Sequence, residues 1–307
     1  MINIVFYGTG DFAATILKNI VGNGNYAVLG VVTQPDRPAG RHFENQKSSV
    51  KMLSESFNLP VLQPESLKEF DNPVFSQADL GVVAEYGLII PARLLNLPKY
   101  KTLNLHGSLL PKYRGASPIQ SAIMNGEAQT GITLMLMDKL MDHGPTLAYA
   151  PTDIASGETY KQLSARLAEL AAELFLRETP RYIAGEISPV EQDHDAATFC
   201  KILTRDDGRI DFSKSADEIL NQYKALTPWP GVWAMLGDKR CKLTAIGKTG
   251  GKDLQPGTLF TDNGHLFAGC GNNTAIEILS LQLEGKKDLS ASAFINGLRG
   301  LSGKTLT

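Results

Sequence analysis

Apolar residues fall along this chain in two rhythms. Residues 2–7 (INIVFY) and 26–33 (YAVLGVVT) are nearly continuous apolar runs of strand length. Between them, Phe12, Ile16, Leu17 and Ile20 recur at helical spacing from Asp11 to about Val21. Strand, helix and strand in that order predict a β-α-β unit and therefore a parallel sheet. Residues 48–58 predict a second helix. Further buried strands are expected at 79–84 (DLGVVA), 102–106 (TLNLH) and 132–138 (ITLMLMD). From Thr159 to about Ala184 an Ala-, Leu- and Glu-rich stretch carries helical spacing again. Residues 1–188 thus predict a doubly wound α/β domain.

The pattern changes after Gly185. Pro189 and the polar run EQDHDAAT predict a connecting segment over 189–205. A helix is expected from Ala216 to Ala225. Short apolar stretches then alternate with the turn sequences PWPG, LGDKR, GKTGGKD and DNGH. Evenly spaced short strands with Gly-rich turns predict a small β-barrel over 206–307. The chain carries no internal repeat and no low-complexity tract.

Composition narrows the class. The chain has 307 residues, 43% apolar and 20% charged, within the range of ordinary globular proteins. Its formal net charge of −2 gives no global basic field for nucleic acid. The charge is shared unevenly: 13 Lys/Arg stand against 11 Asp/Glu from Arg205 onward, and 17 against 21 before it. The second part is thus near +2 and the first near −4. Cys200, Cys241 and Cys270 are far apart and form no C-x-x-C pair, so no metal site is expected. The N-terminus, MINIVFYGTG, is a strand entering a glycine turn and lacks the features of a signal peptide. No apolar run reaches transmembrane length. A cytoplasmic protein is expected, and without coiled-coil heptads, a monomer.

GTGDFA (Gly8–Ala13) satisfies G-x-G-x-x-A between a strand and a helix, the setting of a dinucleotide fingerprint. The acid that should bind a ribose is out of place, however. The second strand runs into Gln34, and Asp36 comes late, behind Pro35. A tight strand-to-helix turn, with glycines supplying positive φ and close approach, explains the motif better than a nicotinamide-dependent reductase.

The chemistry concentrates elsewhere. Asn104 and His106 lie two apart at the end of the 102–106 strand, so they face the same side. Lys112 and Arg114 make the following loop cationic. After the strand 132–138 comes D-K-L-M-D-H-G-P (138–145), whose Gly144-Pro145 turn can aim Asp142 inward. Alone, Asn104 could cap a turn and His106 could be a satisfied core residue. If the two strands are neighbours, all three groups converge on one cleft. Such a trio has no Ser or Cys nucleophile. It suits acyl transfer to an amine brought by the substrate: an amide N–H for the oxyanion, an imidazole with an ordinary pKa of ~6.5 to move a proton, and a carboxylate to hold the imidazole.

The run N-L-H-G-S-L-L-P-x-x-R-G (104–115), followed by D-x-G, resembles the folate-dependent formyltransferase family. That resemblance implies a Rossmann-like formyltransferase domain followed by an OB-like barrel. It further implies 10-formyltetrahydrofolate as co-substrate and Asn104, His106 and Asp142 as the catalytic trio. Ser108, Leu109, Leu110 and Pro111 match the family's SLLP loop. V-A-E-Y-G-L-I-I-P (83–91), with Tyr86, Gly87 and Leu88, resembles the segment whose backbone lines the folate pocket.

Three further stretches resemble the branch of the family that formylates methionine on initiator methionyl-tRNA. They are VTQPDRPAGR (32–41), DGRIDF with TPWPGVW (207–212 and 227–233), and LQLEGKKDLSASAFING (281–297). The similarity runs in order along nearly the whole chain. It implies Arg37 and Arg41 as acceptor-stem contacts, and Lys239, Arg240, Lys242, Lys286 and Lys287 as neutralisers of phosphate charge from the barrel. The chain departs from that pattern in HFENQKSSVK (42–51), which lacks basic residues usual after PAGR, and in His143, where Thr or Ala is usual. An amino-sugar formyltransferase would share the trio and SLLP but has no use for the 32–41 loop. A tRNA-binding protein without catalysis would not need the trio.

Overall fold

The structure is a computed structural model describing residues 1–39, 44–249, 254–297 and 300–307. The chain divides into two compact units. Met1–Ile119, Gln129–Ile154 and Gln162–Lys201 form the first, and Gln120–Ala128, Ala155–Lys161 and Ile202–Thr307 form the second.

The first unit is built on a seven-stranded sheet. Its spatial order is Thr146–Asp153, Gln129–Leu136, Thr102–His106, Leu80–Ala84, Ile2–Gly8, Tyr26–Val32 and Val61–Leu62. The five strands from Thr102–His106 to Val61–Leu62 are parallel. A parallel strand needs a crossover, and helices such as Asp11–Gly22 supply it and cover the faces. Leu80–Ala84 and Thr102–His106 are consequently buried at every position, which explains the unbroken apolar spelling of the first of them. The chain runs from the first strand to one side through Tyr26–Val32, then returns to the other side at Leu80–Ala84. The sheet's topological switch therefore lies between Gly8 and Ala84, at the carboxyl ends of the strands.

The expected strands and the helices at 11–21, 48–58 and 159–184 form as Asp11–Gly22, Ser49–Ser56 and Tyr160–Ile183. Ser48 starts the second of these helices by accepting the Lys51 N–H at 3.0 Å. The sheet is not wholly parallel. Gln129–Leu136 runs antiparallel to Thr102–His106, and Thr146–Asp153 returns antiparallel beside it. That last strand lies on the sheet edge, where Pro151 is tolerated because its missing N–H faces no neighbour. Pro151 and a register shift between Thr146 and Ala148 break the alternation that would have revealed it.

The second unit carries antiparallel strands in the order Val232–Leu236, Lys239–Lys248, Thr274–Leu283, His265–Cys270 and Leu259–Asp262. The end of the chain joins the two edges. Leu236 pairs with Leu306, and Thr258 with Thr305, while Leu259 N–H donates to the Lys304 carbonyl at 2.8 Å. The sheet is thereby closed, as a barrel requires to remove its free edges. The helix Ala216–Leu226 precedes it, capped by Ser215 and Glu218 in a reciprocal pair.

Candidate active site

The turn at Gly8–Gly10 leaves the central strand at the switch point. Neither glycine needs positive φ, contrary to expectation: Gly10 is extended, at φ −85°. Close approach is what they provide. A Cβ on Gly8 would fall 2.6 Å from the Ala13 Cβ, and one on Gly10 would run into the Glu85 carboxylate. Asp36 is engaged by Lys51 Nζ at 2.6 Å and Gln63 Nε2 at 2.7 Å rather than left for a ribose.

Glu85 ends the Leu80–Ala84 strand with φ +47°. The residue as a whole is exposed, but its carboxyl group is tucked against Gly10. Removal of that carboxyl from water, helped by the negative Asp11, raises its pKa to about 7 against the opposing bond from the Ala13 N–H. Next in the chain, the Tyr86 side chain enters the core against Tyr7, with ring centroids 5.7 Å apart. Burial raises its pKa to about 12, and its hydroxyl makes no hydrogen bond among the described residues. The Tyr86 carbonyl accepts Thr9 Oγ1 at 3.0 Å and Gln34 Nε2 at 2.9 Å. Gly87, at φ +81°, holds a backbone conformation that L side chains rarely adopt, and a Cβ there would displace the Gln34 amide. Leu88 packs partly against the same core.

Val83 stands opposite Asn104 in the parallel register, so the 85–88 turn leaves the sheet beside the end of Thr102–His106. Asn104 and His106 are both buried. Asp142, with φ +50°, reaches them from the turn between the two antiparallel strands. Asn104 Nδ2 donates to Asp142 Oδ1 at 3.3 Å, and His106 Nδ1 lies 3.5 Å from the same oxygen. The other carboxylate oxygen accepts the Gly115 N–H at 2.8 Å. His106 Nε2 lies 2.9 Å from the Tyr113 carbonyl, which can only accept, so Nε2 carries a proton. Neutral His106 therefore turns a bare Nδ1 toward Asp142.

The loop Ser108–Pro111 is held from within. Ser108 Oγ donates to the Lys112 carbonyl at 2.6 Å. Thr133 Oγ1 donates to the Ser108 carbonyl at 2.6 Å and accepts the Leu110 N–H at 3.0 Å. Ser108 and Leu110 are buried, Leu109 and Pro111 half-buried, and the Leu110–Pro111 peptide is cis.

Arg114 departs from expectation. It does not project from a cationic loop; it is 3% exposed and turns inward. Its Nε and Nη2 donate to Gln192 Oε1 at 3.1 and 2.7 Å, and Nη2 also donates to His194 Nδ1 at 2.9 Å. Lys112 remains exposed. His143 pairs with Asp138 at 2.7 Å and stacks on His194 with ring centroids 4.0 Å apart. Gln192 and His194 come from the polar run EQDHDAAT. Composition shows only a hydrophilic stretch there, and nothing in its spelling signals contact with the site.

The expected nucleic-acid contacts are placed as follows. Arg37 is exposed in the strand Arg37–Ala39 and faces Glu65 at 3.8 Å. Arg41 lies outside the described residues. Lys239, Arg240 and Lys242 share the strand Lys239–Lys248, where Arg240 stacks over Trp233 at 4.0 Å from its ring centroid. That strand pairs with Thr274–Leu283, and the following turn carries Lys286 and Lys287. Glu284 N–H donates to the Arg240 carbonyl at 2.8 Å, so all five cations lie toward one end of the paired strands. Among the described residues, no group of three or more His, Cys, Asp or Glu is arranged to hold a metal ion. Among them, too, no helix is long and apolar enough to cross a membrane.

Comparison with known proteins shows the family. Residues 2–179 match the formyl transferase family, and residues 202–299 match its C-terminal domain. A methionyl-tRNA formyltransferase of Koribacter versatilis is 45% identical over 303 residues, covering 96% of both chains. One from Acidobacterium capsulatum is 42% identical over 299 residues, again covering 96% of both. Among solved structures, an N-formyltransferase from Helicobacter canadensis in complex with folinic acid and dTDP-3-aminofucose superposes with a TM-score of 0.66. Its identity is 19%, over 91% of this chain and 99% of that one. At that identity the likeness speaks for the fold alone.

Proposed function

This chain belongs to the formyl transferase family, and from that premise we propose that it formylates the α-amine of methionine on initiator methionyl-tRNA, using 10-formyltetrahydrofolate. The full-length relatives named above, 42–45% identical, are methionyl-tRNA formyltransferases. The observation that carries the reading is the convergence of Asn104, His106 and Asp142 at one strand end without a side-chain nucleophile. A site of that composition fits a reaction whose acyl carbon and nucleophile both come from substrates.

The folate co-substrate supplies the formyl carbon. The 85–88 turn and the Ser108–Pro111 loop flank the trio and are the segments that would hold it. Tyr86 contributes through backbone geometry, since its side chain is core and its carbonyl is occupied.

Within the trio the proton passes through Asp142 rather than through the imidazole, which the Tyr113 carbonyl holds by Nε2. Asn104 has two amide protons; one is on Asp142, and the other is offered to the formyl oxygen as negative charge develops there. His106, fixed by the Tyr113 carbonyl, presents Nδ1 to the same space. The carboxylate of Asp142 accepts the proton that the attacking amine must lose and returns it to the departing folate nitrogen. The new bond joins the methionine nitrogen to the formyl carbon, and the bond from that carbon to the folate nitrogen breaks.

The two parts of the chain divide the labour. Residues 1–188 carry the transfer chemistry. The barrel over 206–307, joined through 189–205, neutralises tRNA phosphates with Lys239, Arg240, Lys242, Lys286 and Lys287. Arg37 and Arg41 reach the acceptor stem.

The test is formyl transfer from 10-formyltetrahydrofolate to charged initiator methionyl-tRNA, with a nucleotide-linked amino sugar as parallel acceptor. Transfer to the tRNA, lowered about 10²–10⁴-fold in Asp142→Asn, is the expected result. Transfer to the sugar alone would overturn the substrate assignment and leave the trio standing.

A further inference from the structure

Asp142 is held at both ends. Its carboxylate takes the Asn104 and Gly115 donors. Its backbone is held separately, by a residue far along the chain. Gln192 Nε2 donates to the Asp142 carbonyl at 3.0 Å and to the Gly144 carbonyl at 2.7 Å. Gln192 Oε1 accepts both Arg114 bonds, at 3.1 and 2.7 Å. The amide thus uses two donors and two acceptor sites, its full capacity. Its orientation follows from chemistry: a guanidinium can only donate, so oxygen must face Arg114, and two carbonyls can only accept, so nitrogen must face the turn.

We propose that Gln192, oriented by Arg114, is a positioning residue that clamps the Asp142–Gly144 turn and so fixes where the Asp142 carboxylate lies. This rests on the assignment of Asp142 as the proton-handling group. The turn needs an outside clamp. Asp142 sits at φ +50°, in the left-handed region, which an Asp tolerates better than most L residues but still at a cost. Gly144 passes so close to the Leu136 carbonyl that a Cβ there would collide with it. The neighbouring Leu140 and Met141 are exposed at 52% and 69% and do not anchor the turn in the core. Gln192 is 7% exposed and Arg114 3%. Removing the Gln192 donor leaves the buried Gly144 carbonyl and the part-buried Asp142 carbonyl without the bonds they now have. The turn would then move to recover them. A small displacement of a reacting group lowers the rate of a step without weakening the binding of substrates held elsewhere.

Two variants separate the contributions. Gln192→Glu keeps the acceptor for Arg114 and replaces the donor with an oxygen that repels both carbonyls. Gln192→Met removes the donor at similar volume without adding charge. Both are expected to lower kcat by roughly tenfold or more while KM for each substrate changes by less than about twofold. In the Asp142→Asn background the Gln192→Met change is expected to cost less than about twofold, because Gln192 acts only through the group already removed. A merely structural role would lower both backgrounds alike, and that result would overturn the proposal. So would Gln192 variants with near-wild-type kcat beside a strongly impaired Asp142→Asn, which would leave the trio intact. An active Asp142→Asn would instead show that the trio was misassigned. Thermal unfolding accompanies each assay. If neither Gln192 variant unfolds cooperatively, Gln192 is a determinant of folding, and its assignment as a positioning residue is overturned.

Discussion

The Tyr113 carbonyl oxygen lies 2.9 Å from His106 Nε2, and that single contact decides which face of the imidazole meets the candidate site. A carbonyl has no proton to give, so the ring proton is on Nε2 and the lone pair on Nδ1. Asp142 Oδ1 is 3.5 Å beyond it, outside hydrogen-bond range. Two acceptors facing each other leave room for one proton between them. Protonation of His106 converts this approach into an ion pair, and a substrate amine can supply the same proton.

That arrangement predicts unequal losses. Asp142→Asn removes the acceptor for the amine's proton and keeps the volume. Its kcat is expected to fall by about 10²–10⁴-fold, the range for loss of a positioned acid or base. Asn104→Ala removes an oxyanion donor and is expected to cost about 10²–10³-fold. Single-turnover formyl transfer at saturating substrates measures both. Near-wild-type turnover in either variant would remove that residue from the trio.

A second prediction concerns the loop beside the trio. Thr133 Oγ1 both donates to the Ser108 carbonyl and accepts the Leu110 N–H, and all three residues are buried. Thr133→Val keeps the shape and deletes the hydroxyl. Two buried backbone groups are then left without a partner, which costs about 1–3 kcal/mol for each. Denaturant unfolding of the two proteins gives the difference directly. An unchanged midpoint would mean that the loop finds other partners at no cost.

Much of this could be read from the chain beforehand, and the reasons are local. The parallel strands are spelled as apolar runs because both faces are covered, and Asn104 and His106 stand out as polar residues at one strand end. The i, i+2 spacing put them on one face, and the pairing of Leu103 with Leu136 in the next strand brought Asp142 to them. Other features depend on contacts between distant residues. Thr146–Asp153 hides behind Pro151 at a sheet edge. Arg114 looks like a surface cation until Gln192, 78 positions later, is seen to receive it. No periodicity marks Gln192, because one amide satisfied by three neighbours leaves no repeating pattern in its own segment.

Glu85 makes the stability of the fold depend on pH. Its pKa in the folded protein is raised to about 7, from an ordinary 4.5. Below the ordinary value the carboxyl is neutral in both states and makes no difference. As pH rises toward 7 the unfolded chain ionises while the folded protein keeps its proton, so stability falls. Above that the destabilisation is complete. Glu85→Gln is therefore expected to raise Tm relative to wild type at about pH 8 and to match it at about pH 4. The same Tm difference at both pH values would mean that the carboxyl's ionisation is not the cause.

The barrel's cations predict a different signature from the trio's. Lys286 and Lys287 are exposed on the turn after Thr274–Leu283, and Arg240 lies on the paired strand with its guanidinium over Trp233. If they neutralise tRNA phosphates, each one displaces counterions from the acceptor. Lys286→Ala with Lys287→Ala should then raise KM for tRNA and leave kcat nearly unchanged. It should also reduce the slope of log affinity against log salt by about one for each phosphate no longer neutralised. Arg240→Ala should do the same and in addition forfeit a cation–π interaction of about 0.5–1 kcal/mol at an exposed site. Salt titrations of tRNA binding separate these outcomes. An unchanged slope would show that the cations face solvent, and the tRNA would then have to be held by another surface.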